Sequence, residues 1–345
     1  MSGTRKTLKG QAPEAAARSG IPAPAEVQPG AGAHAEVQPG AEAHAELSAT
    51  GARRFGDTEG KAPLIPGRYP APHIVPSRFA GTTPAVETRG LVAKYGDLTI
   101  LRGVDFAAYP GEIKCILGGS GGGKTTLLKH CIGLLTPAGG EVRMLEQDLT
   151  VTKGRAREKL FTRIGMLFQY GALLGSLTIR ENVALPLREH TDLPPDLIEE
   201  IVRLKLELVE LSHAEYRLPS ELSGGMRKRA ALARAMALDP EVLFCDEPGA
   251  GLDPLTSAEL DELLMRLRDR FGMAVVVVTH ELMSIERIAD SAIMLVKGQV
   301  IADGPLDEVK QVDHPEIHAF FGRTAAGEMR GNQSALEVLT RKAGR

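Results

Sequence analysis

A glycine-rich segment in the first half of the chain could bind the phosphate groups of a nucleotide. It reads Gly118-Gly119-Ser120-Gly121-Gly122-Gly123-Lys124-Thr125, which satisfies the pattern GxxxxGK[ST]. Glycines let several backbone N–H groups converge on one anion, and the amino terminus of a following helix adds the positive end of its dipole. Lys124 can bridge the β- and γ-phosphates, and the Thr125 hydroxyl can ligate Mg²⁺. Together with Thr126, the segment is the predicted nucleotide-binding loop.

Two acidic residues follow a second apolar run and could supply the metal ligand and the base. The run 242–245 leads directly into Asp246 and Glu247. A strand there would place both carboxylates at the carboxyl end of a buried sheet, where α/β proteins bind ligands. Asp246 would hold Mg²⁺, and Glu247 would polarise the attacking water, a role worth about 10²–10⁴ in rate. Alone, such a pair is weak evidence, but the loop at 118–125 strengthens it.

A second small-residue segment precedes another helix. Leu222-Ser223-Gly224-Gly225-Met226 is followed by the basic, alanine-rich stretch 227–238. Small residues before a helix make a second anion cradle, which one nucleotide on one chain does not need. This redundancy points to a specific family of nucleotide-binding proteins.

With these motifs in order, residues 85–320 resemble the ATP-binding cassette (ABC) ATPases. By this resemblance, Tyr95 stacks on adenine, and Gln169 contacts Mg²⁺ and the water and senses a transmembrane partner. The segment Ala250-Gly251-Leu252-Asp253 corresponds to the D-loop at the dimer interface, and His280 to the switch histidine on the γ-phosphate. Asp253 and the signature residues Ser223, Gly224 and Gly225 are therefore counted with the nucleotide-binding set.

The resemblance also implies a mechanism and partners. In the family, two subunits pack head to tail, and each signature loop covers the γ-phosphate bound by the other subunit. Glu247-assisted hydrolysis, with Gln169 and His280 as the other catalytic residues, would then open the ATP-bound homodimer. An integral-membrane permease would dock in the groove beside the segment that contains Gln169, called the Q-loop, at the cytoplasmic face of the inner membrane.

Three features are similar to the Mla or toluene-tolerance branch of the family. They are Met226, where many relatives carry glutamine, and the stretches 166–174 and 185–191. ATPases of this branch serve phospholipid-transport complexes with a permease and an MCE-domain protein. Tyr170, where a small residue is expected, and the long amino-terminal segment depart from the pattern.

Two other readings stay open. An ABC importer or exporter for amino acids or metals would share every catalytic residue. A soluble ABC ATPase that acts on DNA or ribosomes is less favoured, because Lys124 and Ser223 lie only 99 residues apart and the chain carries one cassette. The basic residues Arg227, Lys228 and Arg229 are interpreted as solvated residues and phosphate-proximal charge on the helix after 222–226, the signature helix, rather than as a nucleic-acid patch.

The pattern of apolar residues predicts how these motifs are positioned. Alternating strand-like and helical stretches from residue 85 indicate an α/β domain with a largely parallel sheet. The resemblance implies that this domain, over 85–322, is a P-loop ABC ATPase domain with an antiparallel β part. A helical insertion is expected at about 177–222, with one apolar face formed by Leu197, Ile201, Leu204, Leu208 and Leu211. A hairpin is expected at 295–301.

Composition bounds the rest of the chain. Eleven of the 22 prolines lie in residues 1–84, which contain a ten-residue repeat with Pro-Gly in each copy, so this segment is predicted to be a disordered tail. Residues 323–345 are predicted to form a carboxyl-terminal tail. The net charge of −3 gives no general attraction to nucleic acid. Three isolated cysteines are typical of reduced, buried thiols. We expect no membrane span, secretory signal or transit peptide.

Overall fold

The computed structural model describes residues 79–322. Their core is a six-stranded sheet in the order β10-β9-β3-β8-β7-β6. Its strands, in chain order, are β3 (Ile113–Leu117), β6 (Ile164–Leu167), β7 (Val242–Asp246), β8 (Ala274–Val278), β9 (Ser291–Val296) and β10 (Gln299–Pro305). All neighbouring pairs are parallel except β9 with β10. The predicted largely parallel sheet is confirmed.

A smaller antiparallel sheet has the order β2-β1-β4-β5. It consists of β1 (Val86–Tyr95), β2 (Leu98–Ala108), β4 (Gly139–Met144) and β5 (Gln147–Asp148). A hydrophobic cluster joins residues of this sheet, such as Leu101 and Phe106, to Leu127 and Leu128 of the first helix and to Phe244 of β7. The antiparallel β part is therefore packed over the helix that follows the glycine-rich loop.

Helices connect the strands of the larger sheet. They are α1 (Lys124–Cys131), α2 (Gly154–Phe161), α3 (Ile179–His190), α4 (Pro195–Leu208), α5 (Gly224–Ala235), α6 (Pro254–Phe271), α7 (Leu282–Ile288) and α8 (Leu306–Gln311), followed by a helical segment at 315–322 that we name α9. Short 3₁₀ turns lie at Ser212–Ala214 and Pro219–Glu221. The region 177–222 contains α3, α4 and both of these turns, as expected of a helical insertion.

The predicted apolar face of α4 is only partly correct. Leu211 is buried and Ile201 packs against the core, but Leu197 and Leu204 are exposed. The buried face of the helix is formed by Ile198, Val202 and Leu206. Both sets recur at helical spacing, so periodicity alone does not choose between them. Contacts of α4 with α3 and α5 select the second set, and the first leaves leucines on the surface.

The sequence-based boundary at residue 84 divides a packed segment. Phe79 is buried and its ring stacks on Tyr109, with centroids 5.3 Å apart. At the other end, Ile317 of α9 is fully buried. The remainder of the predicted tails, residues 1–78 and 323–345, lies outside the described residues.

Two further expectations concern cysteines and membrane spans. Cys115, Cys131 and Cys245 are free and buried, and burial raises the pKa of each thiol. In residues 79–322, no helix has both the length and the apolar character needed to cross a bilayer.

Candidate nucleotide-binding and hydrolysis site

The glycine-rich loop joins the buried strand β3 to helix α1. Leu117 ends the strand and Lys124 begins the helix, which is the strand–loop–helix context that the motif requires. The Lys124 Nζ donates to the carbonyl oxygens of Gly118 at 2.8 Å and Gly119 at 3.0 Å. The lysine side chain therefore folds back over the loop, with its charge at the mouth of the phosphate site.

Glycine is required in this loop where the backbone meets the β9–β10 hairpin. Gly118 has φ of 140°, and a Cβ there would lie 2.2 Å from the Leu295 carbonyl oxygen. A Cβ on Gly123 would lie 2.6 Å from Leu101 Cδ2 of β2. The Gly298 N–H, in the hairpin turn, donates to the Gly122 carbonyl oxygen at 3.1 Å. The hairpin thus braces the loop, a role that the sequence analysis did not assign to it.

Strand β7 delivers the two predicted carboxylates to the same edge of the sheet. Asp246 is its last residue, and Glu247 follows in a left-handed conformation with φ of 48°, which is uncommon for a residue with a side chain. The Glu247 N–H donates to the Val278 carbonyl oxygen of β8 at 2.8 Å. This backbone contact fixes the glutamate beside the end of β8.

Glu247 and His280 form a contact that joins two predicted catalytic residues. Glu247 Oε1 lies 2.8 Å from His280 Nδ1. Glu247 Oε2 is buried and has no hydrogen-bond partner among the described residues. The His280 side chain is two-thirds exposed to solvent. One carboxylate oxygen of Glu247 therefore contacts a largely exposed ring, and the other has no hydrogen-bond partner in residues 79–322. An oxygen in this state can accept a hydrogen bond from a water molecule.

The electrostatics of this edge favour a cation. Burial, together with the neighbouring Glu247, raises the pKa of Asp246. Burial lowers the pKa of Lys124, and the two carboxylates oppose that effect. Adjacent carboxylates and a threonine hydroxyl, that of Thr125, are the oxygen ligands that Mg²⁺ prefers. These side chains therefore fit a magnesium ion, and Asp246 and Thr125 stay its predicted protein ligands.

A cavity of about 410 Å³ brings together the loop and the catalytic pair. Six of the predicted site residues line it: Gly118, Gly119, Ser120, Lys124, Glu247 and His280. Five lining residues were not predicted: Leu282, Met294, Glu316, Ala319 and Phe320. The last three belong to α9, which no motif in the sequence associated with the site. Within the described chain, α9 forms part of the wall of this cavity.

The signature segment lines a different cavity. This second cavity, of about 140 Å³, is formed by residues of the Q-loop, the signature helix and the D-loop, including Gln169, Tyr170, Gly224 and Gly251. No residue of 118–125 lines it. Tyr95, at the end of β1, is half exposed and lines neither of these two cavities. Tyr95, Gln169 and the signature residues thus remain predicted nucleotide contacts.

Two predicted nucleotide contacts also cap helices. Ser223 is the N-cap of α5, and its Oγ accepts from the Met226 N–H at 3.3 Å. Asp253 is the N-cap of α6 and accepts from the Thr256 N–H and hydroxyl, and these bonds lower its pKa. A Cβ on Gly225 would lie 2.4 Å from Thr256 Cγ2. The small residue at 225 is therefore also needed for packing against α6.

The interpretation of Lys228 as a solvated charge is wrong. Its side chain is buried, and its Nζ donates to the backbone carbonyl oxygens of Gln169 at 2.5 Å and Glu247 at 3.1 Å. Burial lowers its pKa. Arg229 is also partly buried, where it pairs with Glu210 and Glu259. Lys228 thus connects the signature helix to the backbone at Gln169 and at Glu247, the predicted base, which sequence spacing does not reveal.

Comparisons with known proteins agree with this geometry. Residues 101–250 match the family described as ABC transporter. The chain is 40% identical over 254 residues to the "Intermembrane phospholipid transport system ATP-binding protein MlaF" of Haemophilus influenzae, covering 74% of this chain and 96% of that protein. It is 38% identical over 243 residues to the "Probable ribonucleotide transport ATP-binding protein mkl" of Mycobacterium leprae, covering 70% of each.

Two solved structures share the fold. One is cbiO1 from Clostridium perfringens, part of the ABC transporter complex cbiONQ, with a TM-score of 0.61, 29% identity and coverage of 66% of this chain and 90% of that one. The other is the dimeric ATP-binding cassette MJ0796 bound to ADP and Pi, with a TM-score of 0.59, 30% identity and coverage of 64% and 98%. On its motifs, its fold and its identity to MlaF, this chain belongs to the ABC transporter ATPases.

Proposed function

We propose that this chain hydrolyses ATP as the energising subunit of an ABC transporter that moves phospholipid. The observation that carries the hydrolytic part is the contact between Glu247 Oε1 and His280 Nδ1 in the cavity lined by the phosphate loop. The cargo is proposed from the 40% identity to MlaF, which extends over 96% of that relative.

The predicted phosphate-binding, metal-binding and catalytic residues each have a proposed part in the reaction. Lys124 binds the β- and γ-phosphates, and the loop N–H groups orient them. A magnesium ion held by Thr125 and Asp246, with Gln169 nearby, would neutralise charge on the phosphates. Glu247 accepts a proton from the attacking water through Oε2, which has no hydrogen-bond partner among residues 79–322, while His280 fixes Oε1. In-line attack by that water then releases phosphate.

A homodimer is part of the proposal because one chain keeps its phosphate loop and its signature segment in separate cavities. Ser223, Gly224 and Gly225 would cover the γ-phosphate bound by a second copy, with Asp253 at the interface. Tyr95 would stack on adenine, a contact worth about 1–3 kcal/mol by analogy with base stacking. The MJ0796 cassette, a structural neighbour, is itself dimeric with ADP and Pi bound.

A permease at the cytoplasmic face of the inner membrane is the proposed membrane partner. The surface beside the second cavity exposes Tyr170 at 89% and also Phe168 and Leu174. Exposed apolar side chains in one short segment are typical of an interaction surface. An MCE-domain protein would complete the complex, as expected for the Mla branch. Ribonucleotide transport is the second candidate, favoured by the 38% identity to mkl.

The test is to isolate tagged Glu247→Gln from native membranes with ATP and Mg²⁺, and to identify bound proteins and lipids by mass spectrometry. The hydrolysis-deficient variant should remain in the closed dimer and retain its partners. A permease with an MCE-domain protein and phospholipid is the expected result. A different permease would overturn the phospholipid cargo, and no membrane partner would overturn the transport role. Lys124→Ala, which should lose nucleotide binding, is the matched control.

A further inference from the structure

A third cavity, lined by basic residues, lies at the opposite end of helix α1 from the phosphate loop. It has a volume of about 290 Å³, near the lower end of the size range of small-molecule sites. His130, Thr136, Lys153 and Arg157 are among its lining residues, and none of the lining residues found in the described chain is acidic. Because α1 has eight residues, this cavity lies roughly 12 Å along the helix from Lys124.

Arg157 is held in place without a carboxylate partner. Its guanidinium donates to the Gly133 carbonyl oxygen at 2.7 Å and to the Leu149 carbonyl oxygen at 3.2 Å, and it lies over the Phe161 ring. Within residues 79–322, neither Arg157 nor Lys153 forms a salt bridge. Carbonyl oxygens orient the arginine but leave its full charge uncompensated. The cavity therefore presents two cations to an occupant.

The amino terminus of α2 adds to this positive potential. Lys153 is its N-cap residue, and no side chain caps the first helical N–H groups. Uncapped N–H groups and the helix dipole favour an anion at this end. The hydroxyl and the N–H of Thr150, another lining residue, donate to the Asp148 carboxylate. Thr150 is thus committed to Asp148, whereas the Thr136 hydroxyl has no partner within the described chain.

His130 provides an independent and more specific feature. Only 3% of the residue's surface is exposed, and its Nδ1 lies 2.8 Å from the Thr126 carbonyl oxygen. A carbonyl oxygen can only accept, so Nδ1 carries the hydrogen, and Nε2 of the neutral ring is an acceptor. Nε2 has no hydrogen-bond partner in the part of the chain that the structure describes. It is the ring nitrogen left for an occupant.

We infer that this cavity is a binding site for hydrogen phosphate. Lys153, Arg157 and the α2 terminus would bind its negative oxygens, and its one hydroxyl would donate to His130 Nε2. Sulfate has the same shape and charge but no hydroxyl hydrogen at neutral pH. A phosphomonoester, whose second pKa is about 6, has lost its hydroxyl hydrogen at pH 8. The geometry thus favours free phosphate, the product of ATP hydrolysis, over both of these anions.

The test uses histidine-ring NMR on the full chain carrying Lys124→Ala, which removes phosphate binding at the glycine-rich loop. The chain has 9 histidines, and the His130 signals are those that vanish in His130→Gln. Inorganic phosphate, glycerol 3-phosphate and sulfate are titrated at pH 8 and constant ionic strength. Inorganic phosphate should shift the His130 signals saturably in the millimolar range, whereas the other two anions should bind about tenfold more weakly.

Two charge reversals at α2 distinguish phosphate binding in this cavity from a general effect of surface charge. Lys153→Glu should weaken phosphate binding about tenfold, because it reverses a lining charge. Lys159→Glu makes the same change on an exposed residue of α2 that does not line the cavity, and binding should stay within about twofold. A non-saturable shift, or equal losses in the two variants, would overturn the site. Equal affinity for sulfate and phosphate would overturn the role of Nε2.

This inference does not depend on the proposed transport function. The NMR readout is local to His130 and uses a variant that does not hydrolyse ATP. Loss of the permease in the membrane isolation would leave the phosphate titration unchanged. Failure of the titration would equally leave the transport proposal unchanged.

Discussion

Buried charged groups lie at both ends of the six-stranded sheet, but their interactions with other protein groups differ. At the amino-terminal end, Lys114 of β3 forms an ion pair with Asp303 of β10 at 2.5 Å, and both side chains are almost fully buried. Nearby, the Glu112 carboxylate accepts from the Tyr109 N–H at 2.8 Å and from the Ser291 hydroxyl. These charges have protein partners.

At the carboxyl-terminal end, the charged groups lack partners of this kind. Glu247 Oε2 is buried without a hydrogen bond in the described chain, and the pKa of Asp246 is raised by burial and by Glu247. Glu247 also has an uncommon positive φ. Such costs are typical of residues retained for function rather than for stability. The comparison therefore separates charges that stabilise the fold from charges that are free to bind ligand.

The largest expected effect is on catalysis at the carboxyl-terminal end. Glu247→Gln should lower steady-state ATP hydrolysis by about 10²–10⁴, because the amide cannot accept a proton from the attacking water. ATP binding should be retained, and the midpoint of thermal unfolding should not fall. Glu262→Gln, the same change on an exposed face of α6, is the control and should leave the rate unchanged. A wild-type rate in Glu247→Gln would rule out the general-base role.

The next effect is on stability at the amino-terminal end. Lys114→Met should lower the free energy of unfolding by about 3–5 kcal/mol, because it leaves the buried Asp303 carboxylate without its partner. Denaturant unfolding would measure the change. The double variant with Asp303→Leu should recover part of the loss, because it removes the carboxylate that faces Lys114, whereas the buried Glu112 still loses its attraction to the lysine. A loss below about 1 kcal/mol in the single variant would show that the pair does not stabilise the fold.

A smaller effect of opposite sign is expected at Asp246. Its folded-state pKa is raised above the ordinary value of 3.8, so the folded chain binds more protons than the unfolded chain between those two values. The free energy of unfolding contributed by Asp246 therefore falls as the pH rises through that window. Asp246→Asn should stabilise the nucleotide-free chain at neutral pH by less than about 2 kcal/mol, and the gain should vanish below pH 3.8.

Thermal unfolding of Asp246→Asn across pH would test this sign. Asp192→Asn, at an exposed position between α3 and α4, is the matched control. If Asp246→Asn were less stable than the wild type at neutral pH, Asp246 would belong with the stabilising charges, and the contrast between the two ends would not hold for it.

The smallest expected effect concerns α9. Glu316 places a carboxylate in the wall of the cavity that contains Lys124. Glu316→Gln should tighten ATP binding by about two- to threefold, because it removes a like charge near the phosphates. Titration calorimetry would measure the affinity, with Glu308→Gln on the exposed side of α8 as control. Weaker binding in Glu316→Gln would mean that the carboxylate contributes to the site rather than opposing it.

Several features of the fold followed from local sequence patterns. The buried parallel strands, the helix after Lys124 and the hairpin at 295–301 all rest on runs of apolar residues and on glycine, whose effects are short in range. The periodicity of α4 indicated a helix but gave a buried face that is only partly correct, because Leu197 and Ile198 begin two apolar stripes with helical spacing. Only packing against α3 and α5 distinguishes them.

The candidate site also has parts that the sequence predicted and parts that only the tertiary structure shows. The sequence by itself determined the phosphate loop and the carboxylates after β7, because their chemistry depends on neighbours within a few residues. The tertiary structure alone decided that His280 contacts Glu247, that Lys228 is buried between two loops, and that α9 walls the cavity. It also placed the basic cavity beside His130. These contacts join residues far apart in the chain, and close approach in space leaves no local pattern from which they could be read.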